Sequence, residues 1–339
     1  MPHPRAIADI YARLKPLGFN AAFVRAVILP DWWEDAAAHV PANRLLAEMA
    51  VSRFLGISLQ DLHDPSVQLS LASVVPVRLK TATRDTDPDS VRPSIQIALQ
   101  LAELLAQSAG NIPHFAVLQS AIDLRTTLLR ESGPVTLETL VRKCWSLGII
   151  VAHLHRLPQT TGFRKFDGLV AFVGDRPCVL LAEKSDCPSK LAFHLAHELG
   201  HLMLGHVRPG SELLADENLE RFVRDQDEQA ADEFALELLT GTKNPEFQRQ
   251  YGLDAVRLAK KAIDYGTKFN VEPGLVALIY GRSADRWPVA QLALKRLGLT
   301  SGAHSLIQAA LIEHWSDGNL TDSQIRFVEQ LTLSQREIA

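Results

Sequence analysis

The sequence predicts an α+β fold, with mainly helical regions on either side of a small sheet. Three observations lead there. Apolar residues recur at three- and four-residue steps through the first and last thirds of the 339-residue chain. Two runs dense in Val, Ile and Leu, IIVAHLHRL (149–157) and DGLVAFVGDRPCVLLAEK (167–184), interrupt that pattern in the middle. Directly after them, residues 194–206 read HLAHELGHLMLGH, which places four of the twelve histidines on what would otherwise pass for a buried helix.

Taken in order, IADIYARL (7–14), AAFVRAVIL (21–29) and NRLLAEMAVSRFLGIS (43–58) have helical periodicity, and no strand is expected among them. In LPDWWEDAAAHVP (29–41), Trp32 and Trp33 follow a proline, where both are expected to pin the loop onto a small core. The polar stretch TATRDTDPDSVRPS (81–94) reads as a surface loop or a join between helical layers, and SIQIALQLAELLAQSA (94–109) as a helix closed by Gly110. A helix over LETLVRKCWSLG (137–148) ends on Gly148. The two apolar runs then form strands, with Gly-Asp-Arg-Pro (174–177) turning between two antiparallel ones. The histidine-rich helix, a helix over DEQAADEFALELLTG (227–241) and a helical tail complete the chain. The domain organisation expected is a helical region 1–130, an α+β core 131–245 and a helical region 246–339.

Composition narrows the function. A net charge of −4 gives no global footprint for nucleic acid. Three cysteines, Cys144, Cys178 and Cys187, form no close pair, which argues against a disulfide framework or a zinc knuckle and for a reducing, cytoplasmic setting. The start of the chain lacks the apolar core of a signal peptide, and no run of eighteen apolar residues occurs, so no membrane location is expected.

The histidines carry the chemistry. His197, Glu198 and His201 form His-Glu-x-x-His, and on a helix positions i and i+4 share a face, so both imidazoles reach one ion, for which Zn2+ is suited. Glu198, about 100° around the helix from His197, stands beside such an ion as a general base for water without ligating it. Burying three titratable side chains without partners costs on the order of several kcal/mol each, and a metal supplies the partner. The downstream helix offers a third ligand in Glu228, and Asp232, one turn on, is placed to accept the outer N–H of a ligand histidine. His206 lies five residues after His201 and is assigned to the helix end; His194 either lines the cleft or is structural. His153 and His155 share one strand face, and one of them could look toward the site.

The paired segments KLAFHLAHELGHLMLGH and DEQAADEFALELLTG resemble the ImmA/IrrE family of bacterial metallopeptidases, together with LGIIV and FDGLVAFVG before them. The resemblance covers roughly residues 134–245. It implies a zincin-like core with His197, His201 and Glu228 as ligands of one catalytic Zn2+ and Glu198 as base. It further implies a protein substrate, in this family a DNA-binding repressor or other regulator in phage, mobile-element or stress-response circuits. The sensor-like C-terminal domain of some members is not evident.

In zincins a substrate peptide extends along an edge strand, and the strand entering the histidine helix is Cys178–Lys184; Val179, Leu180 and Leu181 are therefore expected to be the docking edge. NRLLAEMAVSRFLGISLQDL (43–62) has the cadence of a helix-turn-helix, but its second helix is poor in cations, so a protein-docking role is preferred to DNA binding. The expected function is that of a zinc endopeptidase. The alternative is a regulatory binding protein whose zinc site is structural or vestigial, closed by four protein ligands.

Overall fold

The computed structural model describes residues 7–71, 78–80, 88–110, 112–115, 119–159, 166–209 and 217–333. The N-terminal region contains α1 (Ala8–Leu14), α2 (Ala21–Phe23) running into a π-turn over Val24–Ile28, α3 (Pro41–Leu55) and α4 (Leu59–His63). Gly56 ends α3 at φ 65, a left-handed conformation that glycine adopts cheaply. The Ser58 hydroxyl then accepts from the Asp61 amide to start α4, which is only 5 residues long. Of the two tryptophans, Trp33 is the anchor: it is buried and its Nε1 donates to Asp35. Trp32 is 55% exposed, so the role expected of both falls to one.

Helix α5 (Pro88–Ser108) starts at Pro88 rather than at Ser94, where the apolar run begins; residues 81–87 of the polar stretch lie outside the described residues. Next come α6 (Ala121–Ser132) and α7 (Leu137–Ser146), the latter opened by a capping box between Thr136 and Thr139. The sheet has four strands, β1 (Arg78–Lys80), β2 (Ile150–His153), β3 (Gly168–Val173) and β4 (Arg176–Leu181), in the order β1-β3-β4-β2. Strands β3 and β4 form the expected hairpin, with Val173 opposite Arg176 across a turn in which Gly174 has φ 61. Strand β2 runs parallel to β4, Ile150 beside Cys178.

Two expectations are corrected here. The region 1–130, expected to be helical, also contributes a strand, although none interrupts the helical runs of 7–58: β1 pairs antiparallel with β3, Arg78 opposite Val170 and Lys80 opposite Gly168. A three-residue strand carries no periodicity to read; it exists because β3 offers an open ladder. The second correction concerns docking. Strand β4 has β3 on one side and β2 on the other, so its backbone donors and acceptors are committed within the sheet. Val179, Leu180 and Leu181 are fully buried, and this strand is not a docking edge. The parallel partner β2 returns by a crossover, which local periodicity does not encode.

The sheet is covered on both faces, as strands so uniformly apolar require. Cys178 meets α5, its Sγ 3.9 Å from the Ala102 carbonyl. On the opposite face lies α8 (Pro188–Met203), and behind it α9 (Glu217–Thr240). Arg125 of α6 fixes the end of α9: buried, it donates to the carbonyls of Leu238 and Leu239 at 3.1 and 2.8 Å and to Asn270 at 2.9 Å, satisfying orphan groups at two helix ends. Helices α10 (Ala255–Phe269), α11 (Pro273–Ser283) and α12 (Trp287–Leu297) close around Leu258, Ala277, Tyr280 and Leu294. Helix α13 (Ala303–His314) lies against β2 and α7. The last helix, α14 (Asp322–Thr332), returns to the N-terminal region, where Phe327 stacks on Phe54 at 4.4 Å and Arg326 donates to the Ala26 carbonyl. One hydrophobic cluster reaches from Ile7 to Leu331. Among the described residues, no helix is long and apolar enough to cross a membrane.

Candidate metal centre

Helix α8 is built to be buried. Pro188 sits in its first turn, where a missing N–H costs nothing, and nearly every side chain from Leu191 to Met203 is shielded from solvent. Its contact with α9 is unusually close at Gly200, where a Cβ would stand 2.9 Å from Ala231 Cα and 3.0 Å from the Ala231 carbonyl oxygen. Absence of a side chain at 200 and a small one at 231 let the two backbones approach. That approach brings the acids of α9 to the histidines of α8.

His197 and His201 are 1% and 0% exposed, and their Nε2 atoms face each other at 3.1 Å. The Glu228 carboxylate meets both: Oε2 is 3.3 Å from His197 Nε2 and Oε1 is 3.2 Å from His201 Nε2. Donors each ~2.0–2.1 Å from a tetrahedral ion stand about 3.3 Å apart; the Nε2 pair at 3.1 Å and the nearest carboxylate oxygen of each nitrogen at 3.2 and 3.3 Å, one oxygen per nitrogen, are close enough for the three side chains to share one ion of zinc's size. Burial pushes the Glu228 carboxyl up, but hydrogen bonds from His197 and His201 outweigh it and hold the group at about 2. It is therefore ionised, as a ligand must be. The Glu228 side chain is 34% exposed, so the group opens to solvent on the α9 side.

Behind these nitrogen and oxygen atoms lie further contacts. Asp232 Oδ1 is 2.8 Å from His197 Nδ1, the contact expected of it. His201 Nδ1 is 3.1 Å from His206 Nδ1, whose Nε2 is 3.4 Å from Asp227 Oδ1. Glu198 is fully buried beside Gly168 at the start of β3, where a Cβ would lie 2.4 Å from its Oε1.

The structure thus brings together His197, His201, Glu228 and Asp232, and sets Glu198 on the same helix against the sheet. Val179, Leu180 and Leu181 stay buried inside β4, paired on both sides by β3 and β2. His153 stacks instead on His304 at 3.9 Å with its Nε2 donating to the Glu183 carbonyl. His194 is buried, 3.6 Å from Glu183. Sequence reasoning missed His206 as a partner of His201. The signal was present in the Gly205–His206 pair that ends the helix, since a glycine there turns the following residue back.

Residues 146–262 match the IrrE N-terminal-like domain of peptidase family M78. The matched stretch takes in β2, β3, β4, α8, α9 and the site. Neither a curated protein nor a solved structure matches the chain.

Proposed function

Since the stretch 146–262 belongs to the ImmA/IrrE peptidase family, we propose that the chain is a zinc-dependent endopeptidase in which His197, His201 and Glu228 hold the ion and Glu198 is the general base. The observation that carries this reading is the convergence of three side chains from two helices, the two Nε2 atoms 3.1 Å apart and each within 3.2–3.3 Å of one Glu228 carboxylate oxygen. When bound, zinc polarises the scissile carbonyl and acidifies water. Glu198 takes a proton from the attacking water as the new C–O bond forms, then delivers it to the leaving nitrogen as the C–N bond breaks. Asp232 holds His197 in the tautomer whose Nε2 carries the lone pair. A structural zinc is closed by four protein ligands; among the described residues the group has three, which favours a catalytic site over a structural one.

The likeness of the paired motifs to peptidases that act on repressors supports a cytoplasmic regulator, such as a DNA-binding repressor, as the substrate. Two measurements test the proposal. Metal analysis should find one zinc per chain. A regulator encoded beside this chain should be cut by the zinc-loaded protein and left intact by its Glu198→Gln variant; a zinc-free purified chain, or cleavage by that variant, would overturn it.

A further inference from the structure

Helix α8 stops in a turn that places one histidine on another. Gly205 takes φ 73, its amide donates to the Leu202 carbonyl at 3.2 Å, and the His206 amide donates to the His201 carbonyl at 2.9 Å. These are the two bonds of a Schellman motif, which folds the residue after the glycine onto the third-last residue of the helix. That contact is commonly apolar. Here it is imidazole on imidazole, with the rings 5.2 Å apart and their Nδ1 atoms at 3.1 Å.

We propose that His206 is a positioning residue for His201, and that Asp227 fixes His206 in turn. The inference rests on the metal reading above and extends it to residues behind the ligands. His201 turns Nε2 toward His197 and Glu228, so when it ligates through that atom its proton resides on Nδ1. The group facing Nδ1 is His206 Nδ1, which must then present a lone pair and carry its own proton on Nε2. His206 Nε2 faces the Asp227 carboxylate at 3.4 Å, an acceptor suited to that tautomer. Each link selects the next. Asp232 serves His197 directly at 2.8 Å, whereas Asp227 serves His201 through His206. Helix α9 therefore supplies the third ligand, Glu228, and both of the carboxylates that hold the imidazoles from behind.

The experiment is zinc affinity by chelator competition, with Zn2+ as the only probe, alongside nitrogen NMR of the zinc-loaded imidazoles. His206→Phe keeps the ring volume without an acceptor and should bind zinc roughly 10- to 100-fold more weakly. His206→Gln, whose amide oxygen can accept from His201, should recover much of that loss, which a purely space-filling role would not give. Asp227→Asn should weaken binding less than His206→Phe does. In the wild-type chain, NMR should find His206 protonated at Nε2 and His201 at Nδ1; this readout needs no variant to fold. Wild-type zinc affinity in folded His206→Phe, or a His206 proton on Nδ1, would overturn the assignment. If the wild-type chain bound no zinc, the metal reading would fail first and this inference with it.

Discussion

The Glu198 carboxylate occupies the space in which a side chain at residue 168 would begin. A Cβ on Gly168 would lie 2.4 Å from Glu198 Oε1 and 3.0 Å from its Cγ and Cδ. The glycine at the head of β3 is thus a requirement of the acid on α8. Gly168→Ala must displace Glu198, and a displacement of about 1 Å in a catalytic group can cost ~100-fold in rate. The expected result is a folded, zinc-loaded protein whose cleavage rate falls by roughly 10- to 100-fold. Metal analysis and turnover on the same sample check it; an unchanged rate would mean that the position of Glu198 does not matter.

Glu198 and His201 differ in what they take with them. Glu198→Gln keeps the volume and both imidazoles, so zinc content should stay near normal while proteolysis drops by several orders of magnitude, through loss of the base and of water orientation. His201→Ala should lose the metal itself. Zinc loss in Glu198→Gln would contradict this division.

A similar contrast holds on α9. Glu228→Ala removes the only carboxylate within reach of both Nε2 atoms among the described residues and should abolish tight zinc binding. Asp232→Asn can still accept from His197 Nδ1 but carries no charge, and should weaken affinity or activity by roughly 10- to 100-fold. A zinc titration decides it. Full occupancy in Glu228→Ala would direct attention to Asp227 or Glu233.

The sequence makes the candidate ligand group easy to read because its information is local: i, i+4 spacing puts His197 with His201 on one helix and Glu228 with Asp232 on another. The β3–β4 hairpin is equally local, marked by Gly174 between two apolar runs. What failed to show was set by pairing at long range. Nothing near Val179–Leu181 says that β2, some thirty residues earlier, will flank β4. Nothing in Arg78–Lys80 announces a strand, because β1 depends on the open side of β3. His206 lies between these cases. Its partner His201 is five positions away, but the link runs through a turn at Gly205 rather than along a helical face.

Away from the metal centre, the His153 imidazole is pressed down to about 4, first by burial and then by the neighbouring His304, against 6.5 in a free side chain. In the folded protein it stays neutral, stacked on His304 and donating to the Glu183 carbonyl at 2.9 Å. Between these two values the unfolded chain binds a proton that the native one refuses, so stability should fall as pH drops below about 6.5 and level off below about 4. The contribution is roughly 3 kcal/mol at most. His155, also lowered by burial, acts in the same direction. Urea midpoints of the zinc-free protein across this range should show the slope, and His153→Asn should flatten it. Equal slopes would remove His153 as the cause.

The contact between α8 and α9 offers the last test, because it separates the framework from the ligands. A Cβ at Gly200 would meet the backbone of Ala231, 2.9 Å from its Cα and 3.0 Å from its carbonyl oxygen, and its Cβ at 3.3 Å. Backbone cannot rotate aside, so in Gly200→Ala the two helices must part. Overpacking of this kind costs about 1–3 kcal/mol, against a gain of up to ~1 kcal/mol from replacing glycine inside a helix. Glu228 and Asp232 move with α9, so the parting should also lower zinc affinity although no ligand has changed. Adding Ala231→Gly removes only the 3.3 Å contact and should restore little of either loss. Urea unfolding of the zinc-free protein and a zinc titration measure the two effects separately. If Gly200→Ala matched the wild type in both, close approach at this crossing would not be what holds the acids of α9 against His197 and His201.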